Sequence, residues 1–206
     1  RGASWDPDLE LRIGRAIAME LRAKGGNVIL APAMNLLRHP AWGRAQEVYG
    51  EDTHHMTEFS LAFVSGAQEW AVATPKHFAV NSIEDTRFDL DVTIDERSLR
   101  ELYLPHFRAV SDAGAGAFMS AYNSVNGAYC AENKVLLTDI LKDEWGFDGL
   151  VMSDWIWGTH DTVGAATAGL DIEMPGPKYY GPALVEAVGD GSVSEDAVDA
   201  AVRRIL

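Results

Sequence analysis

The chain has 206 residues, 47% of them hydrophobic, with 19 glycines and 8 prolines, which excludes a disordered chain and fits a folded domain with a substantial core. Its 17 basic and 31 acidic side chains leave a formal charge of -14, which repels a nucleic-acid backbone and an anionic membrane surface, so neither is an expected partner. Cys130 is the only cysteine, which excludes an intrachain disulfide and a cysteine-based zinc site, and no apolar run approaches the roughly 18 residues of a membrane span. Any targeting signal is expected outside these residues, and compartment and assembly, including a homo-oligomer, are left open.

In chain order, helical periodicity alternates with short apolar runs, the pattern of a parallel α/β domain. The first helix opens at Asp6-Pro7, places Leu9, Ile13, Ala16, Ile17 and Leu21 on one face and stops at Gly25-Gly26. A strand from Val28 to Ala31 follows, then a long loop rich in Pro, Arg and Gly, then a helix from about Glu51 to Trp70 with Glu51-Asp52 as its cap. The second strand runs from Ala71 to Thr74 and is ended by Pro75-Lys76-His77. A helix from Asp95 buries Leu99, Leu102, Tyr103, Phe107 and Val110, with Pro105 kinking or splitting it. The third strand spans Ala117 to Ala121.

After Asn133 a helix buries Leu136, Leu137, Ile140, Leu141 and Trp145 and ends at Gly146. Leu150 to Ser153 is the fourth strand, Ala165 to Gly169 a short helical piece, and Leu170 to Met174 a fifth strand ending at Pro175. A last helix opens at Ser194 and aligns Val198, Ala201, Val202 and Ile205. With no linker and no repeat beyond the βα alternation, residues 1–206 read as one domain.

Polar residues able to do chemistry follow each strand: Arg38 the first, Lys76 and His77 the second, Tyr122 and Asn123 the third, Asp154 and Trp155 the fourth, Glu173 the fifth. Such ends converge on one face of a (β/α)8 barrel. A dinucleotide-binding sheet would instead need a glycine-rich turn after its first strand, and no GxGxxG follows any strand here. Five strands fall short of the eight strands and about 250 residues of a full barrel, so the expected fold is a partial (β/α)8 TIM-type barrel lacking its first strand or strands. Asp154 is the next-to-last residue of the run GLVMSDW, where a carboxylate serves either as cap of the next helix or as nucleophile beside the Trp155 indole. The six histidines show no HExxH-type spacing, so neither a metal nor any other cofactor is expected.

The segments LRHPAWGRAQEVYGED, PKHFAVN, DERSLRELYLPHF, MSAYNSVNG, LKDEWGFDGLVMSDW and AGLDIEMPG, in that order, resemble the catalytic barrel of glycoside hydrolase family 3, which includes many β-glucosidases. The resemblance implies retaining hydrolysis of terminal non-reducing β-D-glucosyl residues through a covalent intermediate on Asp154, with a β-glucoside or oligosaccharide as substrate. It implies that Arg38, Lys76, His77, Arg87 and Tyr122 bind the sugar and that Trp155 is its stacking platform. Trp42, Gly43, Arg44 and Glu47 belong to a loop signature read as bracing the site, and Glu173 is read as structural.

A retaining mechanism needs two carboxyl groups about 5 to 5.5 Å apart. Lys76 and nearby arginines are expected to keep Asp154 ionised, while family resemblance places the acid/base glutamate on a C-terminal α/β sandwich domain outside this chain. β-N-Acetylglucosaminidases of the family use instead an Asp-His pair in the loop after KHF; here that loop reads AVNSIEDTR and has no histidine. β-Xylosidase and β-N-acetylglucosaminidase activity, and a catalytically incomplete sugar-binding fragment, are the alternative readings. An aspartate of the family's first strand is also expected before Arg1, so the segment alone is expected to be inactive.

Overall fold

The computed structural model describes residues Arg1 to Leu206. Asp6 caps α1 (Pro7–Ala23) by accepting from Leu9 N at 2.9 Å, with Pro7 in the first turn where a missing N–H costs little. Strand β1 (Val28–Ile29) follows, and Asp52 caps α2 (Thr53–Ala67) through His55 N at 2.7 Å. Next come β2 (Val72–Ala73), β3 (Lys76–Phe78) and β4 (Asp91–Val92). Asp95 caps α3 (Glu96–Ser98), which runs into a π-helical turn at Leu99–Tyr103 before α4 (Pro105–Asp112). Pro105 thus splits the helix, because its ring can open a helix but cannot donate inside one.

Strand β5 (Ala117–Ser120) precedes a hairpin of β6 (Ser124–Val125) and β7 (Ala128–Tyr129), then a π-helix at Val135–Glu144. Strand β8 (Leu150–Met152), α5 (Thr162–Ala168), α6 (Pro182–Gly189) and α7 (Glu195–Ile205) complete the chain. The result is a mixed α/β fold in which no helix is long and apolar enough to cross a membrane.

The main strands are parallel and neighbour one another in chain order. β1 pairs with β2, β3 with β5 and β5 with β8, and bridges Ala33–Lys76 and Met152–Ile172 continue the series. Side chains alternate across it: Phe118 and Val151 enter the large core with Phe59, Phe63, Phe78 and Phe107 under the helices. Ala117, Met119 and Met152 form a second apolar cluster with Leu30, Val72, Leu150 and Ile172 packed beside them. Apolar residues on both faces are the mark of a parallel sheet meant to be covered on both sides.

Four sequence expectations are corrected. Pro75 interrupts the second strand without ending it: its carbonyl accepts from Met119 N at 3.1 Å, and Lys76–Phe78 resumes the pairing with β5. The fifth strand shrinks to a single bridge at Ile172, because Val151 N–H donates at 2.8 Å to the Asp171 carboxylate and not to a ladder carbonyl. The hairpin at Ser124–Tyr129, its parallel partner β4 and helix α6 were not foreseen, although Asn126-Gly127, with φ of 52° and 92°, carries the chemistry of a two-residue hairpin turn.

The fourth correction concerns α1, whose buried residues are Glu10, Gly14 and Ala18, while Ile17 is exposed. Gly14 and Gly66 let α1 and α2 touch, since a Cβ on Gly14 would sit 2.5 Å from Phe63 O and one on Gly66 2.1 Å from Leu11 O. Glu10 is satisfied by Tyr49 Oη at 2.6 Å and Arg1 Nε at 2.7 Å.

Lys142 Nζ lies 2.9 Å from both oxygens of Asp171, joining the Val135–Glu144 helix to the residues beside β8. Burial outweighs this pairing and pushes the Asp171 carboxyl above its ordinary range. Asp171→Ala strands the Lys142 charge and the Val151 N–H, and should cost about 3 to 5 kcal/mol, read as a lowered urea midpoint.

Candidate active site

Asp154 leaves the C-terminal end of β8 and is only 6% exposed. Its Oδ1 accepts from Trp155 N at 2.7 Å, while Oδ2 has no hydrogen-bond donor and lies 3.4 Å from His77 Nε2. It does not cap a helix, because Asp161 caps α5 through Gly164 N. Beyond Asp154 the chain folds back tightly. Trp157 N donates to Trp155 O at 2.7 Å, and a Cβ on Gly158 would lie 2.4 Å from Asp154 O.

His77 is held from three directions. Asn35, buried in the loop after β1, accepts from His77 N at 2.9 Å and donates through Nδ2 to His77 O at 2.8 Å. Arg44 Nη1 lies 2.9 Å from His77 Nε2 and Asn35 Oδ1 lies 3.2 Å from Nδ1. A guanidinium can only donate, so Nε2 accepts and the proton sits on Nδ1, facing Asn35. Burial first, then the charges of Arg44, Lys76 and Arg87, hold His77 well below the ordinary imidazole range, so it is neutral. With Nε2 occupied, His77 has no proton to give Asp154 Oδ2. Arg44 is anchored by Glu47, with Nε 3.0 Å and Nη2 2.5 Å from its carboxylate.

The electrostatic balance at Asp154 differs from the expectation that nearby cations dominate. Burial is the largest influence and raises its pKa; Trp155 N–H, Tyr122, Lys76 and Arg44 pull the other way without cancelling it. The carboxylate is desolvated more than the sequence suggested. Lys76 is itself lowered, first by burial and then by Arg44, while Asp154 and Glu47 oppose that shift.

The structure brings Lys76, His77, Arg87, Tyr122 and Trp155 into the neighbourhood of Asp154. Tyr122 Oη donates to Trp155 O at 2.8 Å, and burial followed by the Asp154 charge pushes its pKa up. Arg87 pairs with Glu84 and stacks 4.7 Å from the Tyr122 ring centroid. Trp155 is half-buried against Ala117, Met119 and Met152. Arg38 is not part of this group: it is exposed, with its guanidinium 5.8 Å from the Tyr103 ring.

The arginine that reaches His77 is Arg44, which sequence reasoning had assigned to bracing. Asn35 was missed altogether. Its signal was a polar residue within the apolar run Met34 to Leu37, a position where burial demands a partner. Glu173 is structural as read, accepting from Tyr179 N at 2.7 Å and Tyr180 N at 2.8 Å.

Residues 2–206 match the glycosyl hydrolase family 3 N-terminal domain. The chain is 48% identical over 208 residues to a β-glucosidase of Rhizobium radiobacter, covering all of this chain and 25% of that protein. It is 41% identical to a probable β-glucosidase J of Emericella nidulans, covering 24% of it. Among solved structures, β-glucosidase 3B from Thermotoga neapolitana in complex with α-D-glucose superposes with a TM-score of 0.94 at 39% identity, covering 98% of this chain and 30% of that one. The chain belongs to glycosyl hydrolase family 3. It spans about a quarter of the length of the curated relatives it matches.

Because the Asp154 pKa is raised on folding, its carboxyl favours the folded state below the unfolded aspartate pKa, and that contribution is lost as pH rises through the folded value. Asp154→Asn should therefore raise the thermal midpoint at neutral pH and give no gain at pH values below the ordinary aspartate range. Arg44→Met removes a charge that favours the carboxylate, so the Asp154 midpoint in a carboxyl 13C NMR titration should move further up.

Proposed function

We propose that this chain is the barrel segment of a retaining β-glucosidase that hydrolyses terminal non-reducing β-D-glucosyl residues with Asp154 as nucleophile. One observation carries the reading: a buried carboxylate oxygen, Asp154 Oδ2, with no protein donor, beside a neutral His77 and within the influence of Lys76, Arg44 and Tyr122. A nucleophile needs a lone pair that no protein donor claims, and positive charge nearby to limit protonation. Parallel strands adjacent in chain order, apolar on both faces, support a single-domain partial (β/α)8 barrel lacking its first strand or strands.

In this reading Asp154 Oδ2 attacks the anomeric carbon as an acid protonates the departing oxygen. The bond from that carbon to the leaving group breaks and a glycosyl ester with Asp154 forms. Water, deprotonated by the same acid/base group, then attacks the anomeric carbon, releasing glucose with β configuration and freeing the carboxylate. Lys76 and Arg44 supply charged donors for sugar hydroxyls, and His77, neutral, orients them and transfers no proton. Tyr122 and Arg87 frame the nucleophile, and Trp155 supplies an apolar flank.

The acid/base glutamate is assigned to an α/β sandwich domain beyond this chain, in keeping with the quarter-length coverage of the relatives. The relatives' names favour β-glucosidase over β-xylosidase or β-N-acetylglucosaminidase, as does the loop Ala79 to Arg87, which has no histidine. Residues 1–206 alone should bind sugar and give no measurable turnover.

In the protein of native length, a slow 2-fluoroglucoside should label Asp154, as read by peptide mass spectrometry. Asp154→Asn should lower turnover by roughly 10⁴-fold or more. An unlabelled Asp154, or near-normal activity in Asp154→Asn, would refute the assignment.

A further inference from the structure

His77 Nε2 stands between two groups that make opposite demands on it. Arg44 Nη1, 2.9 Å away, needs an acceptor there, while Asp154 Oδ2, 3.4 Å away and without a donor, would accept a proton from it. The location of one imidazole proton therefore decides whether the Oδ2 lone pair is free. With the proton on Nδ1, Nε2 takes the Arg44 hydrogen bond and Oδ2 stays open. With a proton on Nε2, alone or as part of an imidazolium, the ring donates to Oδ2 and turns Arg44 away.

The choice is made on the opposite side of the ring, by Asn35. Backbone bonds tie its segment to β3: Lys76 N donates to Pro32 O at 2.9 Å and Met34 N to Lys76 O at 2.7 Å. That register sets the Asn35 amide across the His77 backbone, where Nδ2 donates to His77 O at 2.8 Å and Oδ1 accepts from His77 N at 2.9 Å. A flipped amide would put donor against donor and acceptor against acceptor, so Oδ1 is fixed as the atom facing Nδ1, 3.2 Å away. An unprotonated Nδ1 would set lone pair against lone pair. Asn35 and His77 are each 2% exposed, so the pair is closed to solvent and a mismatch there has no water to relieve it.

We propose that Asn35 is a positioning residue of the active site: it holds the His77 proton on Nδ1, away from Asp154, and so keeps the Oδ2 lone pair available for attack. The proposal rests on Asp154 being the nucleophile and names the residue that keeps it available. Burial first, then Arg44, Lys76 and Arg87, disfavours the imidazolium as a whole. Of these cations Arg44 touches a ring nitrogen, yet its long side chain, paired with Glu47, can move with the proton, whereas the Asn35 amide is pinned by backbone at both of its polar atoms.

In the protein of native length, the rate at which a slow 2-fluoroglucoside labels Asp154, followed against pH, reads the state of Oδ2. Asn35→Ala leaves a buried Nδ1–H without an acceptor, and Asn35→Asp, of the same size, puts a negative charge beside it that favours the imidazolium. Both variants bring a proton to Nε2. Both should lower the plateau labelling rate about tenfold or more and move its acidic limb to lower pH, because the new hydrogen bond captures and stabilises the Asp154 carboxylate. In Asn35→Asp part of the rate should return at higher pH, as the imidazolium loses its second proton. A purely structural role would lower the thermal midpoint, and the rate at every pH, while leaving the limb in place; that result, or an unchanged plateau, overturns the proposal. If neither variant folds, 15N NMR of the unmodified protein labelled in histidine decides: the His77 ring signals, assigned by their loss in His77→Gln, should show the proton on Nδ1, and a proton on Nε2 overturns the proposal. If the unmodified protein is not labelled at Asp154 at any pH, the nucleophile reading fails first and the role of Asn35 falls with it.

Discussion

Withdrawing one carboxylate from water at the end of a parallel strand is the constraint on which the architecture of the site turns. Asp154 pays for its burial with a raised pKa, and the surrounding groups are arranged so that the rise stays limited. The Trp155 N–H takes Oδ1, while Arg44 and Lys76 bring positive charge without covering Oδ2. A donor placed directly on Oδ2 would stabilise the anion further and occupy its free lone pair. The site's side-chain donors bond directly to His77, while Asp154 receives one backbone N–H and the nearby positive charge.

That division depends on a chain of fixed contacts running outward from His77. Asn35 sets the imidazole proton on Nδ1, which leaves Nε2 to accept from Arg44, and Glu47 fixes the guanidinium in turn. Each link uses the geometry of the previous one. The neutral state of His77 follows from burial among three cations, so the ring orients neighbours and adds no charge of its own.

The same economy holds the strands that carry these residues. Asp171 replaces a ladder carbonyl for Val151 N–H and is balanced by Lys142, so β8 is anchored three residues before Asp154. On the far side of the large core, Gly14 and Gly66 permit backbone contact between α1 and α2. The large core lies on one face of the strands, while the second apolar cluster of Met119, Met152 and their neighbours lies on the other.

Much of this was legible in the residues alone. Helix caps at Asp6, Asp52, Asp95 and Ser194, the break at Pro105 and the stop at Gly146 are local, because a side chain reaching its own backbone needs no distant partner. The order of the parallel strands, the placement of Tyr122 and Asp154 just past strand ends and the family were also legible, since periodicity and ordered motifs are properties of the sequence, whereas Lys76 and His77 lie within β3 and not after a strand. What the sequence could not decide was which of two arginines in one loop enters the site, that Asn35 orders His77, that α1 buries its glycine face, and that burial outweighs the cations at Asp154. Those outcomes depend on distances between residues far apart in the chain and on how much water each loses, quantities that exist only once the tertiary structure has formed.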